Sequence, residues 1–187
     1  MRLISYKLND EIGVGTMVDE SSAVALTDAA PNLPRTLKKI LELDDGLERV
    51  RAAVDGRAAN IALDDIALEP VIPDPHAIWA LALNFQMHIQ ETSLTTSAEH
   101  PQLFLRTPAS QVGHGQSMVC PRPEVAKTYD YEGELAVIIG RGGRYIDEAD
   151  ALDHVAGYAC YNEGSVREFQ NHNRQFGLGK NFENSGS

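Results

Sequence analysis

Over the first eight positions apolar and polar residues alternate, Leu3, Ser5 and Lys7 against Ile4, Tyr6 and Leu8, and this period of two predicts a strand. Gly13 and Gly15 then suggest a bend, with one or two short strands continuing through Ser22–Thr27. From Pro34 to Val54 the apolar positions Leu37, Ile40, Leu41, Leu43, Leu47, Val50 and Val54 recur at helical spacing. The spacing predicts one helix, or a pair broken around Asp44–Gly46. Pro70, Pro73 and Pro75 follow within six residues, which excludes regular helix and favours an extended joint. A small N-terminal domain over 1–70 and a second domain over 71–187 are expected from that joint.

Beyond it, Ile78–Leu83 is a short apolar run that reads as a buried strand feeding a turn and helix at NFQMHIQE. Leu103–Leu105, Ser117–Val119 and Glu132–Ile139 read as strands, the last strongly because LAVII is rich in β-branched residues. Ile146–His154 reads as a short helix, Gly157–Tyr161 as a strand, and Ser165–Phe176 as helical. The closing GKNFENSGS is polar and predicts no regular element.

Composition narrows the function classes. The 187 residues carry 16 Lys+Arg against 27 Asp+Glu, a formal net charge of -11, and clustered basic surface for nucleic acid or anionic membrane is therefore not expected. The longest apolar runs stop at five or six residues, and the N-terminus is charged where a signal peptide is apolar, so a soluble, cytoplasmic protein is expected. Cys120 and Cys160 are too few for a disulfide framework and are expected to be reduced and buried.

Three groups of residues could carry chemistry. Glu132 and Glu134 flank Gly133, so on a strand both carboxylates face one side while Leu135, Val137 and Ile139 face the other. Adjacent like charges repel unless a cation lies between them, and oxygen-only ligands suit Mg²⁺, Mn²⁺ or Ca²⁺ rather than zinc. On base rates, an isolated pair of this kind is more often a solvated strand face. His88 and Glu91, three apart, would share a helix face, where the carboxylate could orient the imidazole as a general base; a surface histidine has the same spacing. Glu163, Arg167 and Gln170, spaced four and three, would line one helix edge, with the arginine suited to a substrate carboxylate or to a plain surface ion pair. GRGGR at Gly140–Arg144 lacks the third glycine of a dinucleotide loop, and GLGKN around Lys180 lacks the upstream glycine of a Walker loop. No Gly-x-Ser-x-Gly elbow occurs.

Taken in order, ALNFQMHIQE, PQLFLR with SQVGHG, DYEGELAVIIGRGGRYI, GYACYNEGSVREFQ and GKNF resemble the fumarylacetoacetate hydrolase family from about Pro70 to Asn181. The region before Pro70 resembles the small variable domain preceding the catalytic domain in bacterial members. The resemblance implies an α+β fold, a mixed β-roll with a small N-terminal α/β domain, usually as a homodimer. It implies a divalent ion, Mg²⁺ or Mn²⁺, held by Glu132, Glu134 and Glu163, a water-activating dyad of His88 and Glu91, and Lys180 beside the metal as an acid. Arg106, Arg167 and Gln170 are implied substrate contacts. The implied activity is hydrolysis of a C–C bond in an acylpyruvate or other 1,3-diketo acid, with decarboxylation, isomerisation or hydration of a 2-oxo acid as the alternative. A non-catalytic binding or assembly subunit is the alternative of another class.

Three positions depart from the family's usual residues: Glu163 for Asp, Phe85 for Tyr and Arg106 for Lys. The sequence also stops before the family's C-terminal portion, as a piece of a longer protein or a shortened member would. On that reading, open sheet edges and uncovered apolar faces are expected.

Overall fold

The computed structural model describes residues 1–85, 100–173 and 175–187. The alternating start is strand β1 (Leu3–Leu8), paired antiparallel with β2 (Glu11–Met17). The bend lies at Asn9 and Asp10, both at positive φ (50° and 66°), rather than at the glycines. This is the two-residue hairpin turn that Asn and Asp tolerate. Gly13 instead lies inside β2, directly opposite Tyr6, and a Cβ there would come 2.5 Å from the Tyr6 ring. The glycine makes room for an aromatic ring laid across the sheet.

With β3 (Ser22–Ala25), β4 (Ile61–Ala62) and β5 (Ala67–Leu68) these strands form a five-stranded sheet in the order β4-β3-β2-β1-β5. The helical spacing resolves into a broken pair, α2 (Leu37–Leu41) and α3 (Gly46–Val54), after a single turn α1 (Leu26–Ala29). Gly46 sits against the Ile40 carbonyl, an approach no Cβ permits, and Gly56 at φ +66° follows the end of α3. Val14, Leu26, Leu33, Leu37, Ile40 and Val50 form the core beneath these helices. Ile40 and Val50 are fully buried, each contributing about 1.5–3 kcal/mol by the usual transfer values.

The remaining strands form antiparallel pairs: β6 (Ile78–Ala82) with β7 (Gln102–Arg106), β8 (Tyr129–Asp130) with β11 (Ser165–Val166), and β9 (Gly133–Ile139) with β10 (Val155–Asn162). The architecture is mixed α+β with a curled sheet, as expected. Ser117–Val119 is not a strand; its backbone runs irregularly, and Val119 N–H donates to the Asn184 carbonyl. The helix expected from Ile146 is a 3-10 segment, Glu148–His154. The stretch from Ser165 is split between β11 and a one-turn helix α4 (Arg167–Gln170), and a second single turn, α5 (Gly177–Lys180), interrupts the polar tail.

That tail is buried rather than loose. Ser185 has no exposed surface, and Gly186 bridges to both Gln111 and Glu163. The uncovered apolar faces are also present. Trp79 lies opposite Leu105, Leu81 opposite Leu103 and Val137 opposite Tyr158, all of them exposed. Cys160 and Cys120 are free and exposed, not buried, Cys160 because its strand alternation places it on that same open face. Among the described residues no helix is long and apolar enough to cross a membrane.

Candidate metal centre

Antiparallel pairing assembles the site. Gly133 lies opposite Asn162 and Glu134 opposite Tyr161, and the Glu163 N–H donates to the Glu132 carbonyl at 2.9 Å, one step further along. Residues opposite one another share a face, and so do residues two apart on one strand. Glu132, Glu134 and Glu163 are thereby brought to one side, where their carboxylate oxygens lie within 4.8 Å of one another. Glu163 is not on a helix with Arg167; it precedes β11, and only Arg167 and Gln170 share the α4 turn.

The face on which the acids converge is the inner one. On β9 the burial alternates so that Glu134, Ala136 and Ile138 are partly covered while Leu135, Val137 and Ile139 are exposed. The solvated-face reading of the Glu132/Glu134 pair does not apply here. Instead, cations close around the acids. Lys180 Nζ donates to Glu132 Oε1 at 2.7 Å and to Glu163 Oε2 at 2.9 Å, with its side chain 3% exposed. Arg167 Nη1 donates to Glu132 Oε1 at 2.5 Å and to Gln170 Oε1 at 2.8 Å, while its Nε and Nη2 hold Asp130 Oδ2. Arg106 Nη1 lies 3.5 Å from Glu163 Oε1 with no exposed side-chain surface.

Burial works against the charge on Glu132, but the hydrogen bonds from Lys180 and Ser165 outweigh it and hold the carboxyl below its usual range. Arg167's hydrogen bonds hold Asp130 low as well. Desolvation acts against the Arg167 charge, and the pairing with Asp130 and Glu132 more than restores it. The Tyr161 phenol, beside Glu134 on the inner face, is pushed up to about 12 chiefly by burial.

Among the described residues the cluster thus sets three cations, Arg106, Lys180 and Arg167, against four carboxylates, Asp130, Glu132, Glu134 and Glu163. Three converging carboxylates on a partly buried floor form an oxygen-only donor set, which fits a hard divalent ion such as Mg²⁺ or Mn²⁺.

Sequence spacing missed several members of the site. Ser165, fully buried, donates to Glu132 Oε1 at 2.6 Å. Asp130 orients Arg167, and Ser185 accepts from Arg106 Nη2 at 2.9 Å. Ser165 and Asp130 lay inside the quoted motifs; nothing in the local pattern marked Ser185. His88 and Glu91 lie outside the described residues.

Comparison with known proteins places the chain in a family. The family model for fumarylacetoacetate (FAA) hydrolase C-terminal matches residues 77–187. Oxaloacetate tautomerase YisK of Bacillus subtilis (strain 168) is 38% identical over 124 residues, covering 65% of this chain and 41% of the relative. Mitochondrial oxaloacetate tautomerase fahd2 of Xenopus laevis is 30% identical over 190 residues, covering 98% and 58%. Maleylpyruvate hydrolase from Sphingobium sp. SYK-6, solved in complex with manganese(II) ion and pyruvate, superposes with a TM-score of 0.73 at 24% identity, over 100% of this chain and 64% of that one. The chain therefore spans between two-fifths and two-thirds of the length of these proteins. With a family model matched over more than half its residues and the same fold in solved members, the chain belongs to the fumarylacetoacetate hydrolase family.

Proposed function

We propose that this chain carries the divalent-cation site of an enzyme acting on 2-oxo acids whose carbon next to the keto group can enolise. The observation that carries the reading is the convergence of Glu132, Glu134 and Glu163 within 4.8 Å, beside Lys180. On this reading the three glutamates hold Mg²⁺ or Mn²⁺, residues 71–187 form the catalytic unit and 1–70 a small preceding domain. When bound, the ion supplies Lewis-acid polarisation of substrate oxygens and turns the local excess of one carboxylate into an excess of one positive charge. A 2-oxo acid, with one carboxylate beside a ketone, matches that charge and can present two oxygens together.

The chain's own groups supply the rest. Lys180 Nζ, buried between Glu132 and Glu163, is placed to give or take a proton at the edge of the cluster. Arg167 holds Asp130 and Glu132 and donates to Gln170, and on this reading Arg167 and Gln170, at the edge of the acidic cluster, are the substrate contacts. The relatives named as oxaloacetate tautomerases support proton transfer at carbon as the shared chemistry, and the hydrolase among the solved neighbours supports C–C cleavage as a second reading. Cleavage needs an attacking water, the role assigned to His88 with Glu91.

The test is turnover of oxaloacetate and a panel of acylpyruvates, followed by ultraviolet loss of the enol, with Mn²⁺ and after EDTA. Metal-dependent tautomerisation that survives His88→Ala, with acylpyruvate cleavage lost, is the expected division. No metal-dependent change in any substrate would overturn the proposal.

A further inference from the structure

Arg106 was expected at the substrate, but its surroundings assign it elsewhere. Its guanidinium is fully covered and contacts three separate segments. Nε donates to Ser110 Oγ at 3.4 Å, Nη1 to the Gly164 carbonyl at 3.4 Å, and Nη2 to Ser185 Oγ at 2.9 Å. The Tyr161 ring lies 5.6 Å from its Cζ, and a Cβ on Gly186 would come 2.8 Å from Nη2. Its side chain keeps no solvent-exposed surface among the described residues. What it does meet is Glu163 Oε1, at 3.5 Å, the oxygen that Lys180 does not take.

Glu163 is itself only 4% exposed. A buried carboxylate needs paired charge, and here the two oxygens are paired separately, Oε1 with Arg106 and Oε2 with Lys180. Rotation of the carboxylate breaks one pair or the other, so the two cations together fix its plane. We propose that Arg106 is a positioning residue that holds the Glu163 carboxylate in its ligating orientation, an inference that rests on reading Glu163 as a metal ligand. The planar fork suits the role because it can face Glu163 while its remaining donors anchor to Ser110, Gly164 and Ser185. A lysine keeps the charge but has no fork to brace.

The test is Mn²⁺ affinity of the full chain, read by the paramagnetic resonance signal of free Mn²⁺, alongside the melting temperature in EDTA. Arg106→Lys is expected to weaken Mn²⁺ binding about tenfold, the range seen when outer partners of metal ligands are changed. Ser185→Ala, which removes the tail contact and a 3.5 Å bond to the Lys180 carbonyl but leaves the Arg106–Glu163 pair, should weaken it by less, about threefold at most. Because Arg106 acts through Glu163, the lysine substitution should lose most of its effect in a Glu163→Asp background, where the carboxylate is withdrawn by one methylene.

A lowered melting temperature with unchanged Mn²⁺ affinity in Arg106→Lys would make Arg106 a purely structural brace and overturn the inference. So would an equal loss in both backgrounds. If Arg106→Lys does not fold, the Ser110→Ala, Ser185→Ala double variant, which frees the Nε and Nη2 ends of the fork together, takes its place, and unchanged affinity there has the same meaning. Absence of Mn²⁺ binding by the unaltered chain would instead overturn the metal reading of Glu163 itself.

Discussion

Lys180 Nζ lies 2.7 Å from Glu132 Oε1 across 48 residues of sequence, in a position where the lysine side chain is 3% exposed and the glutamate 22%. The ammonium is placed by α5, which packs tightly enough on α4 that a Cβ at Gly179 would meet the Gln170 N at 2.5 Å and the Val166 carbonyl at 2.7 Å. It neutralises charge that Arg167 and Arg106 alone would leave only partly paired against the cluster's carboxylates.

Lys180→Met should therefore destabilise the chain by about 3–5 kcal/mol, the usual cost of removing one partner from a buried ion pair. Urea denaturation in EDTA measures it. Added Mn²⁺ should recover part of the loss, since a divalent cation restores positive charge among the same carboxylates.

Gly179→Ala tests the placement of that lysine. The added methyl forces α5 away from α4, at about 1–3 kcal/mol for overpacking a close contact. The measurement is the denaturation midpoint, with a parallel fall in turnover per folded molecule because Lys180 moves with its helix.

Mn²⁺ added at a hundred times its dissociation constant should stabilise the folded chain by about 2.7 kcal/mol, and EDTA should reverse it. Glu163→Gln should abolish most of this shift, as one of the three converging carboxylates is lost. Calorimetric melting with and without the ion decides the matter.

The carboxylate of Glu168 is held down to about 2, against its ordinary 4.5, chiefly by the Thr128 hydroxyl and then by the Lys127 N–H. The folded chain binds this proton less readily than the unfolded one. The stabilisation is therefore complete above about pH 5 and is lost as pH falls through the folded value near 2. Glu168→Gln should narrow its difference from wild type progressively over that window, followed by melting temperature against pH.

Trp79, Leu81, Leu103 and Leu105 on one strand pair, and Leu135, Val137, Ile139 and Tyr158 on the other, are all exposed. Contiguous apolar faces of this kind associate. The isolated chain should show concentration-dependent light scattering and bind a hydrophobic dye, and a Leu105→Lys, Val137→Lys double variant should lower both. A dye signal unchanged in the double variant would place the exposed surface elsewhere.

Much of this molecule was readable from local pattern. The period of two along Leu3–Leu8 and the β-branched LAVII run specified β1 and β9, and the spacing of Leu37 to Val54 specified a helical stretch, one helix or two, that the structure breaks into α2 and α3. Those signals survive because side-chain period and backbone preference act within a few residues. The Glu-x-Glu pair and the motif around Glu163 likewise named the carboxylates, since chemistry is carried by residue type and the order of motifs.

Local pattern failed where the deciding partner was distant. Ser117–Val119 had strand-like composition, yet the chain there meets Asn184 through one backbone bond and Asn162 through the Met118 sulfur, and stays irregular. The polar tail looked featureless because its burial comes from Arg106, Tyr129 and Glu163, far away in sequence. Arg106 could be counted as a cation from the sequence, but whether it faced substrate or the back of Glu163 depended on which segments closed over it. By itself the sequence determined the strongly patterned strands β1 and β9, the helical stretch from Leu37 to Val54 and the identity of the acids. Only the tertiary structure decided that the acidic face of β9 turns inward and that Lys180 and Arg106 take opposite oxygens of one carboxylate, because charge pairing and burial are set by contacts that pairing of distant strands alone brings together.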